Sequence, residues 1–222
     1  MFTGIVTEVG AISVIDETEL GRRYEIEAAH TASDLSIGDS VAVNGVCLTA
    51  IAVSRERFTV EAVHETLQRS SLVGLVVGDR VDLELPMRAS GRFDGHIVQG
   101  HVDGVGTVGA IAEEGESRRM KITLPESLVS YVVEKGSIAV EGVSLTITAV
   151  SGPGASSAFF EVALIPHTLD STVLGTRGEG DIVNLEVDVI AKYVARYVAN
   201  ILPGTLESMR PGTLQDMREV RT

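Results

Sequence analysis

The feature that most constrains how this chain folds is that it repeats itself. Residues 40–53, SVAVNGVCLTAIAV, lie over residues 137–150, SIAVEGVSLTITAV, with identical residues at 40, 42, 43, 45, 46, 48, 49, 52 and 53 of the first copy. Upstream, Gly4, Val6, Val9 and Gly10 fall on Gly100, Val102, Val105 and Gly106. Downstream, Phe58, Val60, Thr66, Leu67, Leu72, Gly78, Asp79, Val81, Leu83 and Glu84 fall on Phe160, Val162, Thr168, Leu169, Leu174, Gly180, Asp181, Val183, Leu185 and Glu186. The spacing grows at one loop, where Ser54 to Arg57 is replaced by the longer Ser151 to Phe159, rich in Gly, Pro, Ser and Ala. A duplicated chain of this kind folds as two like units in tandem, each of roughly ninety residues.

Within each copy, short runs rich in Val and Ile are punctuated by Gly and Asp turns, the pattern of strands in a small sandwich or barrel. Apolar residues recur at every second position in Val41 to Val43 and in Phe58 to Val60, as a strand with one face on a core requires. Short helices are expected near 66–72 and 168–174, and another near 125–132, with Pro125 suited to the first helical position. The copies are expected to part at 86–94, PMRASGRFD, which is polar and lacks periodicity.

After the second copy the period changes. In DVIAKYVARYVANIL, residues Ile190, Val194, Tyr197 and Ile201 form a heptad stripe, read either as a helix on its own barrel or as an oligomer seam. Beyond Pro203 the chain is polar, and a mobile tail is expected. The expected division is therefore 1–90, 95–187, a helix over 188–202 and a tail over 203–222.

With 31 acidic against 18 basic residues and a formal charge of −13, electrostatics oppose nucleic-acid binding. No apolar run suits a membrane span, and the opening MFTGIVTEVG lacks the pattern of a signal peptide, so a cytoplasmic location is expected. The lone Cys47 forms no intramolecular disulfide, and no residues show metal-ligand spacing. No Gly-rich phosphate loop appears, and neither a metal nor a cofactor is expected.

MFTGIVTEVG at the start, NGVCLT at 44–49, GHIVQGHVDGVG at 95–106, EGVSLT at 141–146, LIPHTL at 164–169 and VNLEVDVIAKYV at 183–194 resemble the riboflavin synthase family, in order and with its spacing, over about residues 1–200. The resemblance implies an all-β fold of two tandem Greek-key six-stranded β-barrels plus a C-terminal α-helix, and a homotrimer with catalysis between the N-barrel of one subunit and the C-barrel of its neighbour. It implies a transferase acting on two molecules of 6,7-dimethyl-8-ribityllumazine, with association with lumazine synthase as a further partner. One lumazine site then resembles Gly4, Ile5 and Val6 with Cys47, Leu48 and Thr49 and the run Glu61, Ala62, Val63, His64, Glu65 and Thr66. The other resembles Gly100, His101 and Val102 with Lys135, Ser144, Leu145 and Thr146 and the run Ile165, Pro166, His167, Thr168, Leu169 and Asp170. Phe2, Ser40, His96 and Asp188 match further positions of importance in the family. Asp94 stands where glycine is common, and Glu141 where aspartate is common.

Two copies of one binding module suit a reaction between two copies of one heterocycle, but donor and acceptor must differ. The copies differ at Ile5 against His101, Cys47 against Ser144 and Pro86 against Asp188. The C7 methyl of the lumazine is acidic, because its carbanion delocalises into the ring, so a weak base suffices. His101 is the candidate, with Asp188 or Ser144 orienting it. By itself a lone histidine beside glycine reads as a packed turn residue, and Lys135 as a solvated one; the family motif reverses the first reading. Cys47 reads as a small wall residue somewhat better than as a nucleophile. Thr49 and Thr146 are read as hydrogen-bonding the ligand or as ordinary strand residues. Glu65, Thr66, His167 and Thr168 would serve a polyol. Two rival readings are a non-catalytic lumazine or flavin antenna protein on the same fold, and the barrel of a flavin-dependent reductase, which would need a nucleotide-binding α/β unit that the sequence lacks.

Overall fold

The computed structural model describes residues 1–152 and 157–208, with side chains as far as residue 201. Strands β1 (Glu8–Glu17), β2 (Gly21–Glu27), β3 (Ser40–Val43), β4 (Val46–Val53), β5 (Arg57–Val63) and β6 (Arg80–Glu84) close into a barrel in the order β1-β2-β5-β4-β3-β6. Strands β7 (Gly104–Glu114), β8 (Ser117–Thr123), β9 (Ser137–Val140), β10 (Val143–Val150), β11 (Phe159–Leu164) and β12 (Ile182–Val187) close in the same order, β7-β8-β11-β10-β9-β12. Every pairing is antiparallel, and the β2–β5 and β8–β11 neighbours make the Greek-key crossing. Register breaks fall at equivalent places, Ile12/Val14 with Val108/Ala110 and Ala50/Ala52 with Ile147/Ala149. These bulges bend the strands enough for a small sheet to close on itself.

The alternation places Phe58, Val60 and Ala62 of β5 inside the first barrel, and Phe160, Val162 and Leu164 of β11 inside the second. Each barrel has its own apolar core. In β3 and β6 the alternation fails: Val41, Ala42 and Val43 are all buried, and so are Val81, Asp82, Leu83 and Glu84. The outward face of these strands is covered by the other barrel, so a half-buried strand became a fully buried one. Phe2, Ala42, Val98 and Ala139 form a third apolar cluster at this junction, with Phe2 wholly enclosed and paired to Val98 by an antiparallel bridge. A ring so buried contributes about 3–5 kcal/mol against alanine.

The junction also holds a polar layer. The two-residue turns Asn44-Gly45 and Glu141-Gly142 meet face to face, so closely that a Cβ on Gly45 would lie 2.6 Å from the amide nitrogen of Gly142. Val173 N–H donates to Asp82 Oδ1 at 2.8 Å, and at the equivalent place in the other copy Ser71 N–H donates to Asn184 Oδ1 at 2.6 Å. Each barrel therefore caps a short turn of its partner. The Asn184 amide reaches the Asn44 carbonyl at 2.9 Å, and Arg177 pairs with the enclosed Glu141 at 2.6 Å. Burial pushes the carboxyl of Asp82 up to about 8 and raises that of Glu141 as well.

The expected helices appear with different bounds. α2 (His64–Arg69) and α3 (Pro166–Ser171) each start earlier than expected and give way to a 3-10 turn, Ser71–Gly74 and Val173–Thr176. Pro166, not Pro125, opens an α-helix; Pro125 precedes a 3-10 turn at Glu126–Tyr131. Helix α1 (Ala29–Asp34) was not anticipated, since it lacks a capping side chain and an apolar stripe. Helix α4 (Val189–Ser208) runs past the expected end at residue 202, through Pro203. The remainder of the expected tail, 209–222, and part of the longer loop, 153–156, lie outside the described residues.

Met1 to Asp188 forms one compact unit, and helix α4 belongs to another. Along α4 itself, Tyr193, Val194 and Tyr197 are 75%, 56% and 69% exposed. Among the described residues no helix is long and apolar enough to cross a membrane.

Candidate functional site

Each barrel is preceded by a short segment that crosses to the other barrel. Residues Thr3 and Gly4 lead into β1, yet the Gly4 carbonyl accepts a hydrogen bond from Ser144 N–H in β10 at 2.8 Å, and Val6 packs on the core of the second barrel. Reciprocally, Gly100 leads into β7, but its carbonyl accepts from Cys47 N–H in β4 at 2.9 Å, and Val102 packs on the core of the first barrel. Only glycine permits so close a crossing. A Cβ on Gly4 would lie 2.6 Å from that of Ser144, one on Gly100 would lie 2.5 Å from that of Cys47, and both residues have positive φ.

This exchange rearranges the two expected residue groups. Gly100, His101 and Val102 join Val46, Cys47, Glu65, Thr66, Arg69 and Ser70 around a cleft of about 170 Å³. Gly4, Ile5 and Val6 instead go with Ser144 on the second barrel. The sequence grouping placed each crossing segment with its own copy, because a repeat alignment assigns residues by order along the chain and carries no information about which barrel a linker touches.

In the first cleft, His101 is exposed while its backbone N–H is fixed at 3.1 Å to Glu186 Oε2. Cys47 is half-buried, and Glu65 pairs with Arg69, one turn on along α2. Arg69 was missed from the sequence, although its spacing from Glu65 puts the two side by side on a helix. Thr49 is exposed, whereas the side chains of Leu48 and Ala62 are buried in the barrel core. Glu61 pairs with Arg23, and Val63 is exposed. His64 is turned elsewhere: its Nε2 lies 3.3 Å from the Glu19 carbonyl, and it lines a separate hollow of about 620 Å³ with Arg22, Gln68 and Ser71.

On the second barrel, His96 Nδ1 lies 2.7 Å from Ser144 Oγ. Burial holds the His96 imidazole below the ordinary histidine range, and the charge of Asp188 pulls it part of the way back. The histidine that meets Ser144 and Asp188 is thus His96 and not His101, which sits beside Cys47. Thr146 is exposed, Leu145 faces the core, and Ile165, Pro166, His167, Thr168, Leu169 and Asp170 form the entry and body of α3. Lys135 is exposed on the turn before β9, in a left-handed backbone conformation (φ 65°).

Both crossing segments end on a buried glutamate. Glu84 accepts from Thr3 N–H (2.7 Å), Thr3 Oγ1 (2.8 Å) and Gly4 N–H (3.0 Å). Glu186 accepts from Gln99 (2.7 Å), Gly100 (2.9 Å) and His101 (3.1 Å) N–H groups. Burial raises the Glu84 carboxyl above its ordinary value, and the hydrogen bonds from Thr3, Gly4 and Ile5 offset this only in part. Among the described residues no cluster of His, Cys, Asp and Glu suits a metal ion.

The arrangement sets unlike reactive groups at equivalent places of the two barrels: a thiol and an exposed imidazole around the cleft on the first, and a hydroxyl bonded to a half-buried imidazole on the second. Comparison with known proteins gives the same duplication. The family model of the lumazine binding domain matches residues 3–86 and again 99–188. The chain is 43% identical to riboflavin synthase of Bacillus amyloliquefaciens, covering 89% of this chain and 90% of that one. It is 47% identical to riboflavin synthase of Mycobacterium tuberculosis (H37Rv), covering 88% and 97%. The crystal structure of LumP complexed with 6,7-dimethyl-8-(1'-D-ribityl) lumazine superposes with a TM-score of 0.75 at 26% identity, covering 84% of this chain and 99% of that one. With one lumazine binding domain on each barrel and such identity along nearly its whole length, the chain belongs to the riboflavin synthase family of tandem lumazine-binding domains.

Proposed function

We propose that the protein converts two molecules of 6,7-dimethyl-8-ribityllumazine into riboflavin and 5-amino-6-ribitylaminouracil by moving a four-carbon unit from one ring to the other. The atoms of the two substrates equal those of the two products, so no external oxidant, reductant or cofactor enters. The observation that carries the proposal is the unlike equipment of equivalent places on the two barrels, Cys47 with His101 against Ser144 with His96. A reaction between identical molecules needs one to give and one to accept, and this difference supplies the bias.

In this reading the chain holds two rings face to face, which lowers the barrier mainly by orientation. The Ser144–His96 pair, under the charge of Asp188, handles the proton of an acidic C7 methyl, and His101 serves the other ring beside Cys47. Cys47 acts as a small wall that admits the ring edge. Glu65, Thr66, His167 and Thr168 take the ribityl hydroxyls, and Lys135 reaches a ring carbonyl. The exposed face of α4, with Tyr193, Val194 and Tyr197, supports a homotrimer in which clefts of neighbouring subunits meet. Association with lumazine synthase and a cytoplasmic location belong to the same reading.

A non-catalytic antenna protein is less well supported: LumP is 26% identical, against 43% and 47% for the two synthases. Incubating the purified protein with the lumazine alone decides between them. Riboflavin absorbance and fluorescence should appear without any additive; binding with no riboflavin formed would make the protein a carrier.

A further inference from the structure

We infer that Glu84 and Glu186 are positioning residues that act crosswise, each holding the segment that lies against the other barrel, at Ser144 and at Cys47 respectively. This rests on the proposed function only in what the clefts bind. The geometry is reciprocal. Glu186, at the end of the last strand of the second barrel, is 3% exposed and gathers the N–H groups of Gln99, Gly100 and His101 on its two carboxylate oxygens. The segment it holds passes Cys47, with Gly100 bonded to Cys47 N–H, and contributes Gly100, His101 and Val102 to the cleft on the first barrel. Glu84, at the equivalent place on the first barrel, is 7% exposed and holds Thr3 and Gly4, and Gly4 is bonded to Ser144 N–H on the second.

A carboxylate suits this work for a specific reason. Three converging donors need acceptors only, and an ionised carboxyl is the side chain that offers no donor at all. Charge-assisted bonds to backbone N–H groups are also roughly twice as strong as neutral ones. Glutamine in either place would turn one amide group against an N–H and loosen that segment alone.

The sole cysteine of the chain reports on one cleft and not the other. Alkylation of Cys47 by iodoacetamide is followed by mass in the full chain and in the Glu186→Gln, Glu186→Asp and Glu84→Gln variants, each checked for cooperative thermal unfolding. Without ligand, Glu186→Gln should speed alkylation at least about tenfold, the order expected for losing a charge-assisted bond. Glu186→Asp, which keeps the charge, should restore part of the slow rate, and Glu84→Gln should stay near wild type despite lying on the same barrel as Cys47. With lumazine added, the concentration giving half-protection should rise for Glu186→Gln and not for Glu84→Gln. In a Cys47→Ser, Ser144→Cys chain the two glutamates should exchange roles.

Equal effects of the two glutamine variants, or an unchanged rate in a folded Glu186→Gln protein, would overturn the crosswise assignment. Should Glu186→Gln prevent folding, the Glu186→Asp variant decides by the same rates. Failure of lumazine to protect Cys47 in the wild-type protein would instead count against the proposed ligand, and leave the ligand-free rates to judge the positioning.

Discussion

His96 Nδ1 and Ser144 Oγ are 2.7 Å apart, joining the linker between the barrels to strand β10 of the second barrel. Burial keeps this imidazole below the ordinary histidine range, so it is unprotonated at neutral pH and free to accept a proton through the hydroxyl. Replacing His96 by glutamine should lower turnover by about a hundredfold, the usual order for a lost general base, while lumazine binding persists. Asp188 raises the imidazole pKa, so Asp188→Asn should move the acidic limb of the pH–rate profile to lower pH. A profile unmoved by Asp188→Asn, or near-normal turnover with His96→Gln, would remove the pair from the mechanism.

Lys135 holds a left-handed conformation (φ 65°) where the equivalent residue of the first copy is Gly38 (φ 96°). A side chain there costs about 1 kcal/mol that glycine avoids. Lys135→Gly should therefore raise the denaturation midpoint while weakening turnover, the signature of a residue kept for its ammonium group. A variant both more stable and fully active would show that the lysine touches no ligand.

Asp82 stands where the second copy has Asn184, and its carboxyl faces Glu141, Arg177 and Arg80. Its ordinary value is 3.8 and its folded value about 8, so the folded chain keeps the proton over a window in which the unfolded chain has lost it. Its contribution to stability is then fullest below the unfolded value and is lost as pH rises through the folded one. Asparagine keeps the acceptor for Val173 N–H and cannot ionise. The gain in melting temperature of Asp82→Asn over wild type should grow by at least about 3 °C between acidic and mildly alkaline pH. A gain independent of pH would show that Asp82 is already ionised in the folded protein.

Much of this was legible in the sequence, and the reasons for the rest are physical. The repeat predicted two barrels because equivalent residues must make equivalent pairings, and Phe58, Val60 and Phe160, Val162 indeed face the two interiors. Parity alone would have placed Ala62 inside as well. The crossing of Gly4 and Gly100 was not legible, since the local signals of both segments are the same in either arrangement and the choice is made by packing of Val6 and Val102 on foreign cores. The same packing hides the pairing of His96 with Ser144, and buries the outward faces of β3 and β6, where alternation suggested water.

The barrels and α4 form separate compact units, so the helix can be removed without touching either core. A helix of this length with exposed Tyr193, Val194 and Tyr197 is too short to form a stable coil alone, and the burial it lacks is what association with two further copies would provide. Deleting residues 189–222 should give a monomer in sedimentation that unfolds cooperatively and still binds lumazine. If the proposed homotrimer brings the unlike sites of neighbouring subunits together, the monomer's turnover should fall severely and should rise with protein concentration, because those sites would then meet only in chance encounters. An intact trimer would reject α4 as the assembly element. A monomer as active as the full chain would reject catalysis between subunits and place both rings on one chain.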